Sequence, residues 1–279
     1  VATITNIALD VLFVVRFGWG IKGAAWATVL SQALSFGIGA RYMVRAEKAF
    51  LNVNPRALLV DRKVFSTMMR IGLPSGIQHS FVSLGFIALT RIVAPFGADV
   101  MAGFTAASRL DSFASMPAMN LAMALSMFVG QNLGACKAHR VRRGFLSTLV
   151  MAGALSGATT VVMVVWGPDL VRLFTADAAV IAHGSQYLVI VSLFYVLFAG
   201  MFVTGGVLRG AGDTLAQMFF TLMALWVVRI PAAALLSSRF GPPGIWWGIP
   251  AGWVVGFTLS FAYYLTGRWK RKVLVRPRG

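Results

Sequence analysis

Runs of about twenty apolar residues, repeated with short polar breaks, constrain this chain more than any other feature. Eight of them are expected, over roughly 1–16, 21–44, 71–95, 100–128, 145–166, 180–208, 215–236 and 244–267. In hydrocarbon no water satisfies backbone N–H and C=O groups, so segments of this length span as helices. Soluble domains carry about 25% charged residues, whereas this chain has 12% charged and 58% hydrophobic residues. The expected fold is therefore an all-α polytopic membrane protein.

The formal net charge is +17. Its basic residues cluster at helix ends instead of on aromatic-interleaved surfaces, which argues against a nucleic-acid partner. Alternate connections are basic: Arg41, Arg45 and Lys48 with Arg56 to Arg70; Lys137 to Arg143; Arg209; and Arg268 to Arg278. The other connections are poorer in positive charge. By the positive-inside rule the basic set and the C-terminus lie in the cytoplasm, against anionic lipid. The single cysteine, Cys136, excludes an internal disulfide and a cysteine-based metal site. His79, His139 and His183 lie far apart and are assigned structural or interfacial places. Val1 already stands inside an apolar helical pattern without an initiator methionine, so a fragment of a longer protein is expected.

Asp10 is the one carboxylate in the first run, and Thr3, Asn6 and Asp10 share a helical face. A Gly-Trp-Gly turn leads to a second polar face with Thr28, Ser31, Gln32 and Ser35. An aspartate in hydrocarbon costs about 2.5–3.5 kcal/mol on insertion scales, so it faces a bundle interior or a cavity. Two roles fit it: a packing carboxylate bonded to Asn6 or Thr28, or a site that binds and releases a cation.

The segment 51–70 reads as a cytoplasmic linker with an amphipathic surface helix, separating two helices at 1–50 from six at 71–267 and a basic tail at 268–279. An echo supports a six-helix repeat. Arg16-Phe17-Gly18 followed by Gly23-Ala24-Ala25-Trp26 is answered by Arg239-Phe240-Gly241 followed by Gly244-Ile245-Trp246-Trp247.

Several stretches, in this order, resemble the multidrug and toxic compound extrusion (MATE) family of cation-coupled exporters. They are Asn6 to Asp10 with the turn after it, Gly72-Leu73-Pro74, Val129 to Ala135 followed by Arg140 and Arg143, and Leu208 to Thr214. The resemblance implies the end of one six-helix lobe plus a complete second lobe, with four N-terminal helices missing. It implies a cation site on Asn6, Asp10 and Thr28 for H+ or Na+, which an aspartate on the absent first helix would complete. Other branches of the family place an acidic residue in the region that reads Gln78-His79-Ser80-Phe81-Val82 here, where there is none.

Within the second lobe, Asp111 and Arg229 are expected to form a structural ion pair, with Arg109 nearby, because buried charges pair. A substrate site is the other reading of these charges. Met116, Met119, Met123 and Met127 form one stripe, either a flexible wall of a drug cavity with Gln32 and Gln78 or a packing stripe. Pro117, Pro231 and Pro250 mark expected kinks. The glycine-rich Gly205-Gly206 and Gly210 to Asp213 lack a Gly-Lys-Ser/Thr ending, so ATP is not expected and no catalytic arrangement stands out. The expectation is a bacterial inner-membrane antiporter, monomeric and without a resident cofactor. It would exchange H+ or Na+ for small amphipathic, often cationic compounds. The alternatives are a flippase for lipid-linked saccharides and an inactive membrane remnant.

Overall fold

The computed structural model describes residues 2–45 and 61–271, which are helical apart from short connections. The chain divides into two compact units, Val1–Arg62 and Lys63–Gly279.

In the first unit, α1 (Ala2–Asp10) runs on as a π-helical segment, Val11–Arg16, and turns into α2 (Gly20–Arg45). Gly18 and Gly20 make the turn with φ of +65° and +53°, a region costly for residues with a Cβ. Gly23 lets the two arms close, since a Cβ there would stand 3.0 Å from the Cβ of Phe13. Phe13 stacks on Trp19 with ring centroids 5.1 Å apart, which fixes the hairpin.

The second unit opens with α3 (Arg62–Val93), followed by α4 (Ala98–Gly134), α5 (Ala138–Arg172), α6 (Ala178–Ser192) and α7 (Tyr195–Gly210). Next come α8 (Thr214–Leu222), a second π segment (Met223–Arg229), α9 (Ile230–Phe240) and α10 (Pro242–Leu265). Asp177 caps α6, its Oδ1 accepting from the N–H groups of Ala179 at 2.8 Å and Val180 at 3.4 Å. Gly241, at φ +66°, turns α9 into α10, so the Arg-Phe-Gly echo has the same left-handed glycine at both sites.

Five helices are long and apolar enough to cross a membrane, or six when α6 and α7, bent by 53°, count as one span. All six lie in the second unit and match the last six expected runs. The two N-terminal runs fall short of that measure: α1 with its π segment covers only 2–16, and α2 carries a polar face. The helix expected from residue 71 begins at Arg62, so residues 62–70 extend α3 instead of forming a separate surface helix. The remainder of the expected linker, 51–60, and the tail beyond 271 lie outside the described residues. The sharp bend falls at Leu193-Phe194, where there is no proline, while α4 and α10 run through Pro117 and Pro250. The Thr160 hydroxyl takes the Ser192 carbonyl at the break, at 2.6 Å, satisfying a helix-end acceptor.

Lipid tails are as apolar as leucine, so close packing of small residues drives association of such helices. A Cβ on Gly103 of α4 would meet the Gly184 nitrogen and the Val180 carbonyl of α6 at 2.9 Å, and one on Gly206 of α7 would meet the Ala122 carbonyl at 2.5 Å. Helices α4, α5, α6, α7 and α10 form the packed centre. There Phe104 stacks on Trp246, with centroids 5.6 Å apart, and Tyr187 meets Trp246 edge-on at 5.2 Å. Helix α3 joins through side chains, as in the Phe86–Phe104 stack.

Candidate functional site

The first unit brings Asn6, Asp10 and Thr28 together. Asn6 and Asp10 are four residues apart and share a face of α1; Thr28 comes from α2 across the hairpin. In one orientation the Asn6 amide donates to Thr28 Oγ1 at 3.4 Å. Turned by 180°, it donates to Asp10 Oδ2 and accepts from the Thr28 N–H, both at 3.3 Å. The turned form satisfies both ends of the amide and is the one adopted here. The Thr28 hydroxyl donates to the Ala24 carbonyl at 3.0 Å, leaving its lone pairs toward the site. The other carboxylate oxygen, Asp10 Oδ1, is buried and has no hydrogen-bond partner among the described residues. Buried acceptors are normally satisfied, so this oxygen stands out among the described residues. The π segment begins at the next residue, and single π turns occur often at functional sites. Gln32 lies on the exposed side of α2.

The second unit holds a separate acidic centre. Asp111 on α4 accepts from the Tyr195 hydroxyl at 2.7 Å and from the Tyr187 hydroxyl at 3.4 Å. Arg229, ending the second π segment, lies within electrostatic range of Asp111 and Tyr187 but makes no ion pair with Asp111 within 4.0 Å. Its Nε is buried without a partner among the described residues. The direct Asp111–Arg229 pair expected from the sequence is therefore replaced by bonds from two tyrosine hydroxyls, with Arg229 acting on Asp111 only at longer electrostatic range. Arg109 is exposed and stands apart from this group, as its spacing of two residues from Asp111 on α4 requires. Tyr187 and Tyr195 were missed because both read as part of one apolar run. The phenolic groups in that run, eight positions apart, were the available signal.

Gln78 does not open onto a described cavity. Its amide donates to Thr221 Oγ1 at 2.9 Å, tying α3 to α8, and Gln217 donates to the same oxygen at 3.4 Å. Met116, Met119 and Met123 share one exposed face of α4 and line none of the described cavities. The Leu208–Thr214 motif is a packing joint. Asp213, 2% exposed, accepts from the Tyr263 hydroxyl of α10 at 2.6 Å, and Gly212 turns the chain at φ +84°. Among the described residues no group of three or more His, Cys, Asp or Glu side chains is placed to hold a metal ion.

Three comparisons bear on this arrangement. The MatE family model matches residues 74–235. The chain is 33% identical over 269 residues to the probable multidrug resistance protein YpnP of Bacillus subtilis (strain 168), covering 96% of this chain and 60% of that protein. It is 30% identical over 286 residues to the probable multidrug resistance protein NorM of Thermotoga maritima, covering 98% of this chain and 60% of the relative. The chain thus spans about 60% of the length of these curated relatives. Among solved structures it superposes on a multidrug resistance MATE family transporter of the MOP superfamily in an outward-facing conformation. The TM-score is 0.87 at 23% identity, over 98% of this chain and 61% of that one. A crystal structure of MATE in complex with MaL6 gives a TM-score of 0.88 at 22% identity, over 98% and 61% of the two chains. At these identities the structural likeness establishes the fold.

Proposed function

Since the chain belongs to the MatE family, we propose that it is part of a multidrug exporter that exchanges H+ or Na+ for amphipathic, often cationic compounds. The relatives carry multidrug resistance names, and that supports the substrate class. The observation that carries the coupling is the unpartnered, buried Oδ1 of Asp10 beside the Asn6 amide and the Thr28 hydroxyl.

In this reading Asp10 Oδ1 takes the incoming cation from outside. Sodium would be met by carboxylate, amide and hydroxyl oxygens from the same three residues. Occupancy cancels the buried charge, lets the α1–α2 hairpin repack, and favours release of the compound outside; loss of the cation to the cytoplasm resets the site. One charge crossing 100 mV supplies about 2.3 kcal/mol, or roughly a fortyfold concentration ratio. The basic connections favour a C-terminus on the cytoplasmic side of a bacterial inner membrane. The α4–α5 connection and the end of α10, both basic, line one cavity at the same end of the bundle, in agreement with that orientation.

The test is accumulation of a cationic dye in exporter-deficient cells that express the gene this chain comes from, native or D10N, at matched protein levels. A pH or Na+ jump is imposed, and the jump that drives efflux identifies the ion. The native protein lowers the dye and the variant loses gradient-driven efflux. Equal export by both would make Asp10 a packing residue, and no export by either would end the export reading.

A further inference from the structure

A cavity of about 690 Å³ opens where α5 starts and α10 ends. His139, Arg142 and Arg143 reach it from the first turns of α5, where positions three and four apart share a face. Lys270 reaches it from the short 3-10 turn that follows α10. Among the described residues no carboxylate lines it, and none forms an ion pair with Arg142, Arg143 or Lys270. Three cations around one hollow, without a carboxylate partner among the described residues, describe a receptor for an anion.

The wall between them is built and rigid. Trp269 is 2% exposed, stacks on Tyr264 with centroids 5.5 Å apart and planes within 10°, and donates from Nε1 to the Tyr264 carbonyl at 2.9 Å. Tyr264 in turn packs on Phe145 at 4.4 Å. Lys270 Nζ sits over the Trp269 ring, 5.6 Å from its centroid, so the ammonium is placed by the wall. Lys137, which precedes α5, offers no side-chain cap, and the first N–H groups of that helix add partial positive charge at the same mouth.

Position selects the kind of anion. Helix α5 has 35 residues, about 52 Å at 1.5 Å each, against a hydrocarbon core of about 30 Å. Its first turns therefore stand in the headgroup layer, where tryptophan and tyrosine rings collect. Leu146 and Leu265, both exposed, complete the lining with apolar surface that a free anion would not use.

We infer that this cavity is a binding site for an anionic phosphate group, held by Arg142, Arg143 and Lys270, and that the phosphate belongs to the headgroup of a membrane lipid whose chains lie along Leu146 and Leu265. The site is separate from Asp10 and does not depend on the exchange reading above.

The test is native mass spectrometry of the purified chain titrated with phosphatidylglycerol, with phosphatidylcholine as the uncharged comparison and millimolar inorganic phosphate as competitor. Each cation near a membrane surface contributes about fivefold in affinity, so R142Q/R143Q/K270Q weakens phosphatidylglycerol retention on the order of 100-fold. R172Q, at the far end of α5, retains it. Displacement by inorganic phosphate supports a phosphate site. Phosphate binding without preferential lipid retention overturns the lipid assignment. Equal retention of the two lipids, or equal loss in R172Q and the triple variant, overturns the site. Should the triple variant fail to fold, R142Q and K270Q alone decide, each with a loss of about fivefold.

Discussion

Replacing Tyr195 by phenylalanine removes one hydroxyl and nothing else from the buried acidic centre of the second unit. That hydroxyl donates to Asp111 at 2.7 Å, whereas the Tyr187 hydroxyl stands at 3.4 Å. Neutral hydrogen bonds between membrane helices average about 0.6 kcal/mol, but bonds to a charged group contribute about 1.5–3 kcal/mol. The short bond to a carboxylate belongs to the second class. Y195F is therefore expected to cost about 2 kcal/mol and Y187F about 0.5 kcal/mol. At about 2–4 °C per kcal/mol for a chain of this size, the midpoints fall by about 4–8 °C and 1–2 °C. The assay is thermal unfolding followed by tryptophan fluorescence in detergent, paired with dye efflux normalised to folded protein in cells. A structural role predicts native efflux per folded molecule for Y195F. Equal midpoint losses for the two variants would refute the geometric ranking. Slower efflux per folded molecule at an unchanged midpoint would refute the structural assignment and move Asp111 into the transport path.

Two further outcomes follow from the packing of the second unit. Any Cβ at Gly103 meets backbone atoms of α6 at 2.9 Å, so Gly103→Val should destabilise by about 1–3 kcal/mol, read as a lowered unfolding midpoint, while Gly153→Ala, with nothing within 4 Å of its Cβ, stays near native. Tyr263→Phe removes the 2.6 Å bond to Asp213 and should cost about 1.5 kcal/mol, seen as a lower midpoint and as faster proteolysis at the α7–α8 turn.

What could be read from the sequence depended on how local the physics was. Apolar length alone placed the spans of the second unit, because a bilayer sets that length. The Asn6–Asp10 pair was legible because four residues make about one helical turn, and Thr28 because it stands on the polar face of the next helix; its part in a cation site came from the resemblance. The glycines of the Arg-Phe-Gly echo were legible because a tight reversal needs a residue without a Cβ. The partners of Asp111 were not, since they come from α6 and α7, 76 and 84 positions away. Opposite charge suggested Arg229, but a phenol hydroxyl can approach a carboxylate at less desolvation cost than a guanidinium. Gln78 was read as a cavity residue by its polarity, although in an apolar surrounding a polar side chain is as readily used to tie helices, as its bond to Thr221 does. The bend at Leu193-Phe194 had no proline to announce it. The start of α3 at Arg62 was hidden because basic residues at a helix end look like a linker when only hydropathy is followed.

The π segment after Asp10 changes how this part of the chain should be aligned and altered. A π turn closes i→i+5 bonds and so holds one residue more than an α turn, as Phe17 N–H bonding to the Leu12 carbonyl at 3.0 Å shows. A helical wheel drawn at constant period from Thr3 to Arg16 is therefore out of phase past Asp10 by one position, about 100°. Deleting a single residue between Val11 and Arg16 would restore a plain α-helix that carries the Phe17–Trp19 turn in the same phase relative to Asp10. A point substitution there leaves that phase intact. The segment should thus absorb the loss of one residue that the flanking α-helix would not, and comparisons between relatives should expect a one-residue gap within it.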